Sequence, residues 1–154
     1  MLTEELKAEI NSHIHEESHR QAACAEALRI VQRERGWIDD QSLRDIADFL
    51  GMTTDELDSV ATFYNLVYRR PVGRHVIRIC SSVSCWVMGY DKLNDHLMTK
   101  LGIKPGETTA DGRFTLIPNQ CLGDCDRAPV LMIGRDLYRN LDPARIDAIL
   151  EKYS

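Results

Sequence analysis

Four of the five cysteines fall in two close pairs, Cys80-x4-Cys85 and Cys121-x3-Cys125. Thiols grouped in this way can pack as small apolar side chains, form disulfides, exchange electrons as a dithiol, or hold a metal. Packing is disfavoured, because buried thiols usually sit inside helices and strands, whereas these stand among Ser81, Ser82, Ser84, Gly123, Asp124 and Asp126. Disulfides are disfavoured where no export signal is visible. A redox dithiol would want a two-residue gap. The remaining chemistry is four thiolates on a metal, either tetrahedral zinc or an iron–sulfur cluster. Gaps of four and three residues suit a bridged two-iron core, in which each iron takes two thiolates, better than a zinc knuckle. Gly123 adds to this, since a missing side chain lets backbone N–H groups approach sulfur. Arg78 and Arg127 either do the same electrostatically or, as charged loop residues more often are, stand merely solvated.

The elements that must position these residues divide into two kinds. Over the first 70 residues the apolar positions recur at helical spacing. Leu6, Ile10 and Ile14 define one helix. A second is predicted over about 21–35, with Gly36 as its stop. Leu43, Ile46, Ala47 and Leu50 define a third, closed by Gly51. The fourth opens on Thr53-Thr54-Asp55-Glu56, the spacing of a capping box, and runs through Leu57, Val60, Ala61 and Tyr64. Beyond Pro71-Val72-Gly73 the period changes. His75–Ile79 is predicted as a strand delivering Cys80 at its end, and a helix is predicted over about 90–100. Phe114–Ile117 reads as a strand, and residues 130–133 and 136–140 as a hairpin about Gly134-Arg135. Residues 143–152 read as a closing helix, with Asp142 as cap and Pro143 at its first position. The expected fold class is α+β, with a small N-terminal helical bundle over 1–71 followed by a helix-backed sheet of the thioredoxin kind over 72–154.

Composition excludes several function classes. The chain has 154 residues, 44% of them hydrophobic and 28% charged, enough to bury a core without cross-links. Its formal net charge is −5, and no basic block is present, which argues against a nucleic-acid or anionic-membrane surface. No apolar run approaches the roughly 20 residues of a membrane helix, and the acidic start Met1-Leu2-Thr3-Glu4-Glu5 lacks a signal peptide's apolar segment. A soluble, cytosolic protein is expected. The acid is concentrated in residues 1–70, which carry net −6, against +1 for residues 71–154. No glycine-rich dinucleotide fingerprint is present.

Taken together, Gly36-Trp37, Ala61-Thr62-Phe63-Tyr64, Pro71-Val72-Gly73, Cys80-x4-Cys85, Lys104-Pro105-Gly106-Glu107-Thr108-Thr109, Asp111-Gly112 and Cys121-Leu122-Gly123-Asp124-Cys125-x3-Pro129 resemble the E-subunit family of bacterial NADH:quinone oxidoreductase, respiratory complex I. The resemblance covers nearly the whole chain. It implies a thioredoxin-like ferredoxin domain holding one [2Fe–2S] cluster on Cys80, Cys85, Cys121 and Cys125, with Cys24 a bystander. It also implies a flavoprotein partner that binds NADH and FMN, with single flavin electrons passing to the cluster. The isolated chain would then have no turnover of its own. It would lie in the cytoplasm, peripheral to the inner membrane through the rest of the complex, without direct membrane insertion or nucleic-acid binding. The same module in an NAD-linked hydrogenase or formate dehydrogenase is the nearest alternative, and a zinc-binding structural module the alternative of a different class. An oxidised two-iron core with four thiolates carries about −2, which would take the formal −5 of the chain to about −7.

Other residues invite weaker readings. His15-Glu16-Glu17-Ser18-His19 spells the zinc-protease motif, but its polar flanks Asn11, Ser12, Arg20 and Gln21 read as a solvated helix end. The same reading covers His13, while His75 and His96 are expected to pack or face solvent. Trp86 either shields the cluster or is an ordinary aromatic. Trp37 is expected between helices, and Phe63, Tyr64 and Tyr68 read either as a partner surface or, in keeping with their helical spacing, as core. Pro129 stands where thioredoxin-like folds place a cis proline, so the Ala128–Pro129 bond is expected to be cis.

Overall fold

The computed structural model describes residues 1–14 and 19–153 and divides them into two compact units, Met1–Pro71 and Val72–Ser154. His15, Glu16, Glu17 and Ser18, four residues of the protease-like motif, lie outside the described residues.

The first unit is built from four α-helices: α1 (Glu4–Ser12), α2 (Cys24–Arg35), α3 (Asp40–Leu50) and α4 (Thr54–Phe63). A turn of 3-10 helix, Arg20–Ala23, leads into α2. Each helix buries a short stripe, including Leu6 and Ile10 of α1, Leu28 and Val31 of α2, Ile46 and Leu50 of α3, and Leu57 and Ala61 of α4, which with Ile38 share one core. The starts are written in side-chain chemistry. Thr3 and Asp39 accept from backbone N–H groups at the beginnings of α1 and α3, and Thr53 with Glu56 completes a reciprocal capping box on α4. Gln32 and Arg69 close the unit. Gln32 bonds the backbone at Leu66 and Tyr68, and Arg69 spans Asp40 and Asp58 at 2.8 and 2.7 Å.

Phe63 and Tyr64, core residues by type and spacing, lie outside this core, Phe63 at 80% exposure. Helix α4 ends at Phe63, and its buried stripe is Leu57 and Ala61, so the two rings fall off the stripe and stack edge-to-face on each other. Trp37 and Tyr68 are half-buried, and Ile38 takes the interior position instead.

The second unit is a four-stranded sheet with helices. Its elements are β1 (His75–Cys80), α5 (Val83–Val87), α6 (Tyr90–Leu101), β2 (Phe114–Asn119), β3 (Leu131–Ile133), β4 (Asp136–Tyr138) and α7 (Pro143–Leu150). The sheet order is β2-β1-β3-β4. β2 runs parallel to β1 with Cys80 opposite Asn119, while β3 is antiparallel to both β1 and β4. As an edge strand, β2 tolerates Pro118, which has no N–H to donate. The β3–β4 hairpin turns at Gly134, at positive φ. Strand alternation sends Ile77 and Ile79 into the main core with Phe114, Leu116, Leu131, Ile133, Leu93, Leu97, Ile146 and Ile149. It sends Cys80 to the other face, into a small separate cluster with Cys85, Ala128 and Val130.

Helix α5 departs from the sequence expectation. Val83-Ser84-Cys85-Trp86-Val87 is helical where its polar neighbours read as a loop, because five residues are too few to show a helical period. At the other end of the sheet, buried Thr115 accepts the Gly73 N–H at 2.6 Å and shares a 2.7 Å hydrogen bond with Thr108. Gly73 lies so close to residues 112–113 that a Cβ would meet their backbone at 3.0 Å. Thr115→Val, nearly the same shape, leaves that N–H unsatisfied, and should cost about 1–3 kcal/mol in chemical denaturation.

Candidate metal centre

Two thiols come from the end of β1 and the helical turn after it. Cys80 is the last residue of β1, and its N–H donates to the Val130 carbonyl at 3.1 Å. Cys85 lies in α5, and the Val130 N–H reaches back to its sulfur. Each of these two is only 1% exposed. The other two thiols come from the loop after β2. Cys121 follows the strand closely, Cys125 opens a 3-10 turn, Cys125–Arg127, and both are exposed. Cys80 thus stands at the end of its strand, as expected, while Cys85 lies in a short helix, Cys121 in a loop and Cys125 in a 3-10 turn.

The parallel pairing of β1 with β2 is what joins the pairs. Ser81, directly after Cys80, donates through its N–H and its hydroxyl to the Asn119 carbonyl at 2.8 and 3.0 Å. Cys121 therefore begins its loop beside the end of β1. Cys121 and Cys125 sulfurs stand 3.3 Å apart. Two sulfurs on one tetrahedral ion with bonds of ~2.3 Å would stand about 3.8 Å apart. Cys80 and Cys85 lie together in one small buried cluster with Ala128 and Val130. Among the described residues no group of three or more His, Cys, Asp or Glu side chains is gathered as the ligands of one metal ion would be; the sulfurs come as two neighbouring pairs.

Their protonation follows from their surroundings. Burial pushes the Cys85 thiol up to about 11, and its hydrogen bond with Cys80 adds to the shift. Cys121 is held below the ordinary thiol value, first by the Gly123 N–H, which points at its sulfur from 3.3 Å, and then by the hydrogen bond from Cys125. Cys125, whose proton is shared with Cys121, is raised in consequence. Gly123 holds φ +85°, a conformation that turns its N–H back toward Cys121 and that an L side chain adopts only with strain. A donor set of four thiols, with N–H groups aimed at two of them, suits a thiolate-bound iron–sulfur centre.

The remaining residues singled out from the sequence take other places. Arg127 pairs at 3.7 Å with its neighbour Asp126, in the open. Arg78 donates to the Gly134 carbonyl. Cys24, half-buried, packs against the core of the first unit. His75 packs on Phe114 and Tyr153, and His96 bonds Asp147 at 2.8 Å, tying α6 to α7. Trp86 is exposed and donates its ring N–H to Asp91. The Ala128–Pro129 bond is cis, as expected. Two features have no signal in the sequence. One is the row of exposed apolar side chains Val83, Trp86, Val87 and Met88 on and after α5, which needs the burial of Cys85 to orient the helix. The other is the ion pair of Arg139 with Asp124, the residue before Cys125, which joins positions 15 apart.

Residues 10–154 match the family model of the thioredoxin-like [2Fe-2S] ferredoxins, and the chain belongs to that family. Its similarity extends to the NADH-quinone oxidoreductase E subunit of Escherichia coli strain K12, 49% identical over 144 residues, which are 94% of this chain and 87% of that protein. The corresponding E subunit of Pseudomonas aeruginosa is 42% identical over 153 residues, 99% of this chain and 92% of that protein. Among solved structures, the NAD+-reducing [NiFe]-hydrogenase in its H2-reduced state superposes with a TM-score of 0.75 at 29% identity, covering 88% of this chain but only 23% of the hydrogenase chain.

The local chemistry has a direct consequence for the metal-free protein. In a titration with iodoacetamide read by mass spectrometry, Cys121 should be alkylated at lower pH than Cys125 or Cys85, because its thiolate persists below the usual range. Cys85 should stay unmodified until strongly alkaline pH. Gly123→Ala should move the Cys121 midpoint upward. Alkylation of Cys85 ahead of Cys121 would contradict the arrangement.

Proposed function

We propose that this chain is an electron-carrying subunit of an NADH:quinone oxidoreductase, and that Cys80, Cys85, Cys121 and Cys125 bind its [2Fe–2S] cluster. The observation that carries this is that two thiol pairs follow one parallel strand pair at the same end of the sheet, Cys80 with Cys85 in one buried cluster and Cys121 with Cys125 at 3.3 Å. A bridged two-iron core takes its thiolates in that way, and when bound it supplies a site that accepts and releases one electron at a time. The protein's part is to hold the sulfurs and set their electrostatics. The Val130 and Gly123 N–H groups partly neutralise the Cys85 and Cys121 sulfurs, which favours the reduced state. Burial of Cys80 and Cys85 excludes water from one side of the site, while exposure of Cys121 and Cys125 leaves the other side within reach of a donor.

The donor in this reading is FMN held by an NADH-binding flavoprotein partner. Val83, Trp86, Val87 and Met88, exposed beside Cys85, form the apolar surface on which that flavoprotein seats, since an uncovered row of this kind marks a protein contact. Further subunits of the oxidoreductase carry the electron onward and provide the membrane attachment; no helix among the described residues is long and apolar enough to cross a membrane. The structural likeness to an NAD+-reducing hydrogenase favours a second reading, the same module in an NAD-linked hydrogenase. The higher identity to the oxidoreductase E subunits, over nearly their full length, supports the first.

Anaerobically purified protein should be brown, with about two iron and two acid-labile sulfide per chain. Cys121→Ser should weaken or abolish the cluster and Cys24→Ser should leave it intact. Colourless protein with stoichiometric zinc and no sulfide would replace the ferredoxin reading by a structural zinc module. Equal loss in both variants would overturn the ligand assignment. The subunits that co-purify, a quinone-reducing complex or a [NiFe] enzyme, decide between the two redox assemblies.

A further inference from the structure

Two acid–base pairs involve the 121–129 loop, and they differ in kind. Asp126 and Arg127 are adjacent, exposed and 3.7 Å apart, a geometry that water screens. Asp124 and Arg139 come from different elements, and the Asp124 side chain is only 16% exposed. Arg139 follows β4, and the two residues after it are bonded to the same loop. The Asn140 N–H donates to the Arg127 carbonyl at 2.8 Å, and the Leu141 N–H donates to the Pro129 carbonyl at 3.1 Å. Asn140 takes φ +48° as it does so, an uncommon conformation for a residue with a side chain. Leu141 is then buried in the main core. Residues 139–141 thus form a strap, anchored in the core at Leu141, that grips the loop at Asp124, Arg127 and Pro129, on both sides of Cys125.

We propose that Arg139 is a positioning residue for the Cys121–Cys125 pair and that its charge cancels Asp124 beside them. The inference rests on the cluster reading above. Without Arg139, a half-buried carboxylate next to Cys125 would add its negative charge to a site that carries about −2 when oxidised and gains another on reduction. Reduction would become harder. Without the Asp124 carboxylate, Arg139 would stand uncompensated near the sulfurs, and reduction would become easier. A merely structural clamp would move both variants in one direction.

The experiment is a redox titration of the full chain, followed by the signal of the reduced cluster. R139Q should lower the reduced-to-oxidised ratio at a fixed ambient potential by up to tenfold, about 59 mV for one electron. D124N should raise it by a similar factor, the double variant D124N/R139Q should return near wild type, and R139K, which keeps the charge, should stay near it. Shifts of the same sign in R139Q and D124N, or none in either, would overturn the charge role. A second measurement needs no cluster. In the metal-free chain, amide hydrogen exchange over 121–129 and 139–141 should speed up several-fold in both single variants while β1 is unchanged. Unchanged exchange would overturn the strap. Absence of iron and sulfide from the wild-type protein, with the exchange result intact, would locate the failure in the cluster reading.

Discussion

The parallel pairing of β1 with β2 is the constraint on which the candidate site depends. Parallel strands put their C-terminal ends together, so the residues that follow them leave the sheet side by side. With Cys80 opposite Asn119, and Ser81 bonded twice to the Asn119 carbonyl, the segments bearing Cys85 and Cys121 start from one point. A slip of one residue in this register would turn Cys80 into the main core and bring Ile79 out to the thiols. The antiparallel partner β3 completes the arrangement. Val130, just before that strand, accepts from the Cys80 N–H and offers its own N–H to Cys85.

From that geometry follows an asymmetry between the two thiol pairs. Cys80 and Cys85 are withdrawn from water, and for Cys85 desolvation makes charge costly until a cation shares it, as its elevated value expresses. Cys121 and Cys125 lie at the surface, with a backbone N–H and a shared proton already favouring one thiolate. Metal binding must therefore expel protons from a dry pair and a wet pair under different conditions. The wet side also carries the loop's acidic residues, Asp124 and Asp126, each with an arginine beside it. Arg127 and Arg139 thus answer the loop's own carboxylates, while Arg78 instead caps the Gly134 carbonyl.

Much of this molecule is legible without its structure. The capping residues Thr53, Glu56 and Asp142 act within a few residues of their partners, so the sequence alone locates the helix starts. The hairpin at Gly134 and the closing helix after Asp142 are similarly local. Legibility fails where an element is short or where burial is decided by something distant. Val83–Val87 shows no period because it makes little more than one helical turn, and its apolar residues stay in water because Cys85 is the one it buries. Phe63 and Tyr64 look like core residues by type, but α4 uses its buried stripe for Leu57 and Ala61.

The sequence by itself determined the chemistry available: four thiols in two pairs, a glycine between two of them, and a chain patterned first for helices and then for a helix-backed sheet. Residue type and local spacing are enough for that, since ligand chemistry and secondary-structure period are properties of short segments. Only the tertiary structure decided which thiols are dry and which wet, and which N–H groups face sulfur. It also decided that Arg139, rather than the sequence-adjacent Arg127 alone, answers the loop's acidic charge. Burial and electrostatic pairing are set by distances in space between residues remote in the chain, and those distances exist only once strand register has been chosen.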